Sequence, residues 1–428
     1  MKQLKNKVVL NSLWISVGQI VELAIAFIFG ILITRYLTEM DNGRMNYAIT
    51  LMNIMLPVAT LSTGGVLINK LVTSPEKEGA YIGTLLVFRA ISGVIASCIM
   101  MGITVILNSN DQLSLILASL QSYALLANGF EIFSSWYNFK LEAKNYVILR
   151  LITCIIVCIY KALILYYKMD VAWFCFSNVL DSILITLLCL FRFYKNGGEK
   201  LSFSPREGII ILKESYYFIF SNICAVLLTH VDKLVVQKFL GDVSFSHYYM
   251  ALYLALMWGF VLKSMVESAR GTVVSASIEN NELADKRMSQ LYSVIIWSGI
   301  LVCVLIVIVS PYLFVILYGE RYRPSGLILA ITCWSVIFQY ISYARNIWLI
   351  LYDCHKYELI FNLLGIVINV LLNIIFTPLY GLHAAAIIFV FTQFFVAIIL
   401  PLVFSKTRSS IKLVARGVKL ADVDIFKK

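Results

Sequence analysis

The stretch LLTHVDKLVVQKFLGD, residues 227–242, places polar and charged side chains inside an apolar segment. His230, Asp232 and Lys233 lie close together within the apolar run 214–240, which is long enough to cross a membrane. A hydrocarbon layer of ~30 Å needs about 20 apolar residues in a helix. Because an ionisable group at that depth is costly unless it meets a partner or water, this pattern indicates a helix packed inside a membrane protein.

The composition of the whole chain supports the same conclusion. Of its 428 residues, 60% are hydrophobic and 14% are charged, whereas soluble domains carry about 25% charged residues. Apolar runs recur from residue 8 to residue 404, and they are continuous, unlike the alternating strands of about 10 residues in a membrane barrel. Lys2, Lys5 and Lys7 resemble the start of a signal peptide, but the apolar run after them is too long and lacks a cleavage site, so we expect an uncleaved first helix.

The runs predict an all-α polytopic membrane protein with about twelve transmembrane helices in two sets of six. The predicted spans are 10–36, 45–69, 81–107, 113–139, 146–167, 171–194, 214–240, 245–270, 288–317, 326–352, 358–377 and 382–404. The predicted organisation is an N-terminal six-helix bundle at 1–195, a cytoplasmic linker at 196–213, a C-terminal six-helix bundle at 214–405 and a basic cytoplasmic tail at 406–428.

The two halves echo each other in sequence. RYLTEMDNGRMNYA at 35–48 and KFLGDVSFSHYYMA at 238–251 both read basic, aromatic, Leu, any residue, acidic, and both end in Ala. Tyr146 and Asp181 have similarly spaced counterparts in Tyr357 and Gln393. The echoes predict a duplicated six-helix unit, an organisation typical of transporters that rock two lobes around a site.

Basic residues predict the orientation of the chain. With an even number of spans both termini lie on one side, and that side holds many more lysines and arginines than the other. Examples on the two sides are Lys2, Lys70, Lys140, Arg206 and Lys286 against Arg44, Lys168, Arg321 and Arg323. Both termini are therefore expected in the cytoplasm.

Motifs of several kinds of chemistry are missing from the sequence. No Gly-x4-Gly-Lys-Ser/Thr motif indicates ATP hydrolysis, and the four histidines do not pair at metal-binding spacing. The nine cysteines are scattered singly, which supports neither a zinc site nor a disulfide framework. We therefore expect no metal, no cofactor and no nucleic-acid partner, and transport is favoured over catalysis.

Polar stripes on the predicted first, seventh and eighth spans indicate a water-filled cavity that faces substrate. Spacing at 100° per residue aligns Ser12, Ser16, Gln19 and Glu22 on one helix, Asn222, Thr229, Lys233 and Gln237 on another, and Lys263, Glu267 and Arg270 on a third. The candidate cations for an anionic, phosphate-bearing ligand are Arg35, Arg89, Lys233, Lys263, Arg270 and Arg345. We expect Lys233 to face the cavity and Asp232 to hold a neighbouring helix or titrate.

Other intramembrane polar groups favour structural roles. Ion pairs such as Arg89–Glu131 and Lys161–Asp181 are expected to hold helices together. The stripe of Asn362, Asn369 and Asn373 on the eleventh span is expected to glue helices by hydrogen bonds. Pro57 should kink the second span, as either a moving part or a passive bend.

Three stretches carry a family resemblance. TRYLTEMDNGRMNYAITL after the first span, TGGVLINKLV at the end of the second and HVDKLVVQKFLGD in the seventh resemble the polysaccharide-exporter branch of the multidrug/oligosaccharidyl-lipid/polysaccharide (MOP) superfamily, and most of all its O-antigen flippases. TEMDN stands where relatives usually show a Gly-Pro-Glu-like turn. The resemblance implies two six-helix bundles that meet in a V shape.

The resemblance also implies a function. The substrate would be an undecaprenyl-diphosphate-linked oligosaccharide repeat unit, moved across the bacterial cytoplasmic (inner) membrane without ATP. A polysaccharide polymerase and a chain-length regulator would be partners alongside membrane lipids. Coupling to an ion gradient would use Glu22, Asp232 or Glu267. The alternatives are a cation-coupled exporter of small amphiphiles and an integral-membrane enzyme such as a polymerase.

Overall fold

The computed structural model describes residues 2–108, 111–195 and 198–422, and every regular element within those ranges is helical. The first eight helices are α1 Lys2–Tyr36, α2 Glu39–Thr60, α3 Gly64–Thr73, α4 Glu78–Asn108, α5 Gln112–Gly129, α6 Phe133–Phe139, α7 Ala143–Tyr166 and α8 Val171–Lys195. The remaining eight are α9 Pro205–Met257, α10 Gly259–Glu279, α11 Asn281–Tyr318, α12 Ser325–Thr332, α13 Ser335–Leu351, α14 Lys356–Phe394, α15 Leu400–Val403 and α16 Arg408–Val418.

Ten segments of the described chain are long and apolar enough to cross a membrane. Two of them contain a glycine whose backbone is not helical, Gly241 in α9 (φ 78°, ψ 179°) and Gly381 in α14 (φ 67°, ψ −150°). Positive φ is accessible to glycine because it has no Cβ. Dividing these two segments at their glycines turns ten into twelve, so the predicted all-α fold of about twelve membrane helices is confirmed.

The chain divides into two compact units, and the division falls between Val226 and Leu227, inside α9. The predicted linker at 196–213 is largely structured, because Pro205 starts α9 at the helix position that best tolerates proline. The residues just before it lie along the start of α4. The Ser202 N–H donates to the carbonyl of Gly79 at 3.1 Å, and the Gly79 N–H donates to Oε2 of Glu199 at 3.1 Å.

The first unit has an aromatic core where α6 meets α8. The ring centroid of Trp136 lies 4.9 Å from that of Tyr137 and 5.0 Å from that of Phe193, in edge-to-face arrangements. Such pairs add to the burial of apolar surface. The indole N–H of Trp136 donates to Glu78 at 2.8 Å, and Lys140 forms an ion pair with the other oxygen of Glu78 at 2.7 Å. The indole N–H and the buried carboxylate are thereby satisfied, whereas the buried hydroxyl of Tyr137 has no hydrogen-bond partner among the described residues.

The second predicted span is split in the structure. Pro57 lies inside α2, the helix ends at Thr60, and the next two residues have left-handed backbones, Leu61 (φ 52°) and Ser62 (φ 43°). A left-handed residue other than glycine costs about 1–2 kcal/mol, so two in succession require that the surrounding fold stabilises this break. The chain then re-enters a helix, α3, at Gly64.

In the second unit, the predicted basic tail contains a helix that packs back on the bundle. Helix α16 buries Leu413 and Val414 and lies against α11. Gly417 makes the approach possible, because a Cβ there would lie 2.9 Å from Cβ of Tyr292 and 3.0 Å from the backbone nitrogen of Ser293. The tail is therefore part of the folded unit up to this helix.

Candidate functional site

A three-helix ion-pair network lies in the first unit. Arg150 is seven residues into α7, about 10 Å along the helix. Its Nε lies 3.1 Å from Oε1 of Glu22 on α1, and its Nη1 lies 2.9 Å from Oδ2 of Asp181 on α8. The three side chains are 27–32% exposed. Charged groups in an apolar span are not stable against hydrocarbon, so this exposure indicates a water-filled space on their side of the bundle.

The network changes one predicted ion pair. Lys161 was expected to pair with Asp181, but Asp181 bonds Arg150, and Lys161 makes no hydrogen bond or ion pair among the described residues. The guanidinium can bridge two carboxylates at once because it presents several N–H groups in a fixed plane. A lysine ammonium cannot hold both in the same geometry.

A second predicted pair, Arg89–Glu131, is also not formed. Glu131 lies in the turn after α5, where the hydroxyl of Tyr146 donates to its carboxylate. Arg89 on α4 is 4% exposed and its Nη2 donates to the hydroxyl of Thr63 at 2.9 Å. Helix α5 ends at Gly129, and Glu131 in the turn after it acts on Arg89 only from beyond ion-pair distance.

In the second unit, Asp232 and Lys233 on α9 are both buried, at 0% and 3% exposure. The hydroxyl of Tyr248 donates to Oδ2 of Asp232, and Oδ1 has no hydrogen-bond partner in the described structure. Nζ of Lys233 lies 3.0 Å from Nδ1 of His230 and 5.8 Å from the ring centroid of Tyr249. The side chain expected to face a cavity is thus enclosed in this conformation.

Charged side chains on α10 are open to solvent. Glu267 and Arg270 form an ion pair at 3.1 Å with exposures of 44% and 37%. The hydroxyl of Tyr343 on α13 donates to Glu267, which ties the pair to a neighbouring helix. Lys263 is exposed one turn earlier. The predicted stripe of α10 is therefore an accessible patch with one more cation than carboxylate.

Arg345 and Arg35 occupy different surroundings. Arg345 is 3% exposed, and its Nη1 donates to the carbonyls of Val396 and Ala397 at 3.2 and 2.7 Å. Those carbonyls belong to a π-helical turn, 395–399, whose widened backbone leaves acceptors to be satisfied. Arg35 is exposed at the end of α1.

The asparagine stripe of α14 is buried and hydrogen-bonded. Nδ2 of Asn369 donates to the hydroxyl of Thr392 at 3.1 Å, and Nδ2 of Asn373 donates to the carbonyl of Asn369 at 3.0 Å. The hydroxyl of Thr377 donates to Oδ1 of Asn373 at 2.7 Å. The bond between Asn369 and Thr392 joins the two halves of α14 across Gly381, and the other two lie within its first half.

Sequence reasoning missed three tyrosines that donate to carboxylates singled out from the sequence. Tyr146, Tyr248 and Tyr343 donate to Glu131, Asp232 and Glu267, respectively. No group of three or more His, Cys, Asp or Glu residues that could hold a metal ion occurs among the described residues.

A family model described as "Polysaccharide biosynthesis protein" matches residues 8–270. No curated protein sequence matches the chain. The solved structure of the lipid II flippase MurJ in an inward closed conformation has a TM-score of 0.71 at 14% identity, covering 98% of this chain and 94% of that chain. An inward-facing multidrug resistance MATE family transporter of the MOP superfamily has a TM-score of 0.67 at 12% identity, covering 96% and 99%. A MOP superfamily transporter from Pyrococcus furiosus has a TM-score of 0.61 at 12% identity, covering 99% and 97%. These similarities show a shared fold.

Proposed function

Because the chain belongs to the polysaccharide biosynthesis protein family, we propose that it is a flippase for a lipid-linked oligosaccharide. The substrate is an undecaprenyl-diphosphate-linked repeat unit of O antigen or a related surface polysaccharide. The protein moves it from the inner to the outer leaflet of the bacterial cytoplasmic membrane by alternating access. It is a transporter and not an enzyme in this proposal.

The observation that carries the proposal is the set of partly exposed charges on apolar helices. Arg150 with Glu22 and Asp181 in the first unit, and Lys263 with Arg270 in the second, are open although their helices are suited to lipid. Arginine and lysine bind phosphate through charge-assisted hydrogen bonds. A polar path through an apolar protein is what a diphosphate headgroup needs, while its polyprenyl chain stays in the bilayer.

The cations predicted to bind the substrate differ in whether their side chains are exposed or enclosed. We propose that Lys263 and Arg270 contact the headgroup directly, and that Lys233 does so when its surroundings on α9 open. Arg35, exposed at the end of α1, is proposed to act where the substrate leaves. Arg345, held by two carbonyls of the π-helical turn, has a structural role in this proposal.

Ion coupling is proposed to act through a carboxylate that competes for a cation. Glu22 is the strongest of the three candidates, because it is partly exposed and shares Arg150 with Asp181. A proton on Glu22 would release part of the guanidinium for a phosphate group. Asp232 is fully buried and Glu267 is bound by both Arg270 and Tyr343.

The proposed orientation keeps both termini in the cytoplasm. A polysaccharide polymerase on the outer side and a chain-length regulator are the proposed partners. The orientation is testable with single cysteines in a chain whose nine native cysteines are replaced. Arg323→Cys should react with a membrane-impermeant maleimide in intact cells, and Lys200→Cys should not; the reverse pattern contradicts the proposed orientation.

The experiment for the function is deletion of the gene followed by complementation. Cells without the protein should accumulate lipid-linked repeat units that a glycosidase can reach only from the cytoplasmic side, with polymerase activity intact. The combined variant Lys233→Ala, Lys263→Ala, Arg270→Ala should fail to restore export although it reaches the membrane. Normal export in the deletion strain would refute the proposed function, and normal export by the triple variant would refute the assignment of these three residues to the site.

A second candidate is a cation-coupled exporter of small amphiphiles, which the structural similarity to a MATE transporter favours. Resistance to cationic dyes separates the two candidates. The flippase proposal expects equal dye resistance with and without the protein, whereas an exporter would raise it.

A further inference from the structure

The split second span exposes the start of a helix within the membrane. Helix α3 begins at Gly64, and the first backbone hydrogen bond of its ladder runs from the Leu67 N–H to the carbonyl of Thr63 at 2.9 Å. The N–H groups of Gly64, Gly65 and Val66 have no hydrogen-bond partner among the described residues. Free N–H groups and the helix dipole give such an end a partial positive charge.

A buried arginine points at the same place. Nη2 of Arg89 donates to the hydroxyl of Thr63, the residue before α3, and its Nε is buried with no hydrogen-bond partner among the described residues. The guanidinium donates to Thr63, and no carboxylate lies within 4.0 Å of it in the described structure; Glu131 acts on it only from beyond that distance. Thr63 itself makes no side-chain hydrogen bond to α3. A cation normally stabilises the other end of a helix, so two positive features meet here without an anion in direct contact with either.

We propose that this pocket is an anion subsite for a phosphate group, formed by the N–H groups of residues 64–66 and the guanidinium of Arg89. Helix N-termini bind phosphate through their free N–H groups, and split membrane helices present such ends to anionic groups of transported solutes. The proposal rests on the proposed function and assigns one phosphate of the lipid diphosphate to the TGG stretch, residues 63–65.

The position of the subsite suits a headgroup that enters from one face. The short turn at 74–77 joins α3 to α4, and both Gly64 and Arg89 lie about 15 Å along their helices from that turn. The phosphate would therefore be held well inside the hydrocarbon layer and still within reach of the near leaflet.

The subsite is accessible through Gly65. This residue is exposed, and a Cβ on it would have no atom within 4 Å. The hydroxyl of Ser135 lies 3.2 Å from the position of a Cβ on Gly64, so a polar side chain borders the start of α3. Nδ2 of Asn222 donates to the hydroxyl of Ser62 at 3.0 Å and supports the break from α9.

Binding to the purified full-length protein in detergent tests the subsite. Native mass spectrometry would compare geranylgeranyl diphosphate, geranylgeraniol, inorganic pyrophosphate and phosphatidylglycerol. Geranylgeranyl diphosphate should bind and geranylgeraniol should not. Arg89→Gln should weaken the diphosphate by about tenfold or more, since charge-assisted hydrogen bonds are lost. Pyrophosphate that binds as tightly as the lipid, with the same dependence on Arg89, would support the subsite and assign it to a soluble anion.

Gly65→Ala keeps the test valid if the arginine variant does not fold. It places a methyl group in the mouth of the subsite without a clash, and alanine favours the helix. Gly102→Ala is the matched control, because its Cβ also meets no atom within 4 Å. Only the first should weaken diphosphate binding. Diphosphate binding that is unchanged in both Arg89→Gln and Gly65→Ala, or binding of phosphatidylglycerol with equal strength, overturns the subsite.

The outcome is separable from that of the proposed function. Export measured in the deletion strain tests the function without any of these variants. A strain that needs the protein for export, combined with diphosphate binding that ignores Arg89 and Gly65, would refute the subsite alone.

Discussion

Nζ of Lys233 lies 3.0 Å from Nδ1 of His230, one turn earlier on α9. A buried ammonium needs a hydrogen-bond acceptor, and here a ring nitrogen takes that place while the neighbouring carboxylate of Asp232 is bonded by Tyr248. The two successive residues Asp232 and Lys233 are thus held by different partners.

Replacing His230 by alanine should destabilise the second unit. The charge-assisted hydrogen bond from Lys233 would be lost inside the protein, at a cost of about 1.5–3 kcal/mol. A lower thermal unfolding midpoint of the purified protein in detergent would show this. His383→Ala is the control, because His383 is exposed and its removal should leave the midpoint unchanged. Equal midpoints for both variants would mean that His230 does not support Lys233.

Arg150→Gln should reduce export and lower stability by about 2 kcal/mol, because it leaves Glu22 and Asp181 as unpaired neighbouring carboxylates. Lys161→Gln on the same helix is the matched control, since Lys161 makes no hydrogen bond or ion pair within the part of the chain that the structure describes. Thermal unfolding and a repeat-unit export assay check both effects. If the lysine variant is the more damaged, the network has been assigned to the wrong cation.

Gly241→Ala and Gly381→Ala should each destabilise the fold by about 1–3 kcal/mol, because their backbone angles are strained for any residue with a Cβ. Gly271→Ala on α10 has helical surroundings and an open Cβ position, so it should be neutral or slightly stabilising. Membrane yield and thermal unfolding of the three variants would be compared. A neutral Gly241→Ala would show that the turn there can adopt another backbone.

Gly417→Val should detach α16 from α11, since even the first carbon of the side chain would lie about 3 Å from Tyr292 and the backbone of Ser293. Limited trypsin digestion should then remove the tail at its exposed basic residues, such as Arg416, while the rest of the chain stays intact. Gly417→Ala should give an intermediate rate of cleavage. Unchanged cleavage in the valine variant would contradict the packing of this helix.

The number of helices was predictable because the length of an apolar run must match the thickness of the hydrocarbon layer. The end of the seventh span was predicted by KFLGD and lies at Gly241. The matching stretch RYLTE also forms the turn after a span, but without a glycine. Thr38 instead caps α2 by accepting from the Asp41 N–H at 3.1 Å. The sequence echo therefore located the turns without indicating how each backbone makes them.

Partner choice among buried charges was not predictable, and α7 shows why. Arg150 and Lys161 are eleven residues apart, which places them about 20° apart on the same helix face. Either could reach Asp181 by spacing alone. The two cations lie about 16 Å apart along the helix, and the structure places Asp181 and Glu22 level with Arg150.

Breaks in helices were the other limit. The pair Arg89–Glu131 required a continuous fourth span, but α5 ends at Gly129 and α6 starts at Phe133. Likewise the two left-handed residues after α2 are Leu61 and Ser62, and neither is a glycine, the residue type that would have indicated the split. The TGG stretch at residues 63–65 contributed to the family resemblance but did not indicate a helix start.

The residues after α16 contact the start of α11, which links the assembly of the second unit to its synthesis. Gln290 donates from Nε2 to the carbonyl of Asp422 at 2.9 Å, across 132 residues. A nascent chain leaves the ribosome from its N-terminus, so the start of α11 gains this cover only after the following 132 residues have been made. The second unit is therefore complete only after residue 422 has been made, and a chain that stops between α11 and α16 leaves the first turns of α11 without this cover.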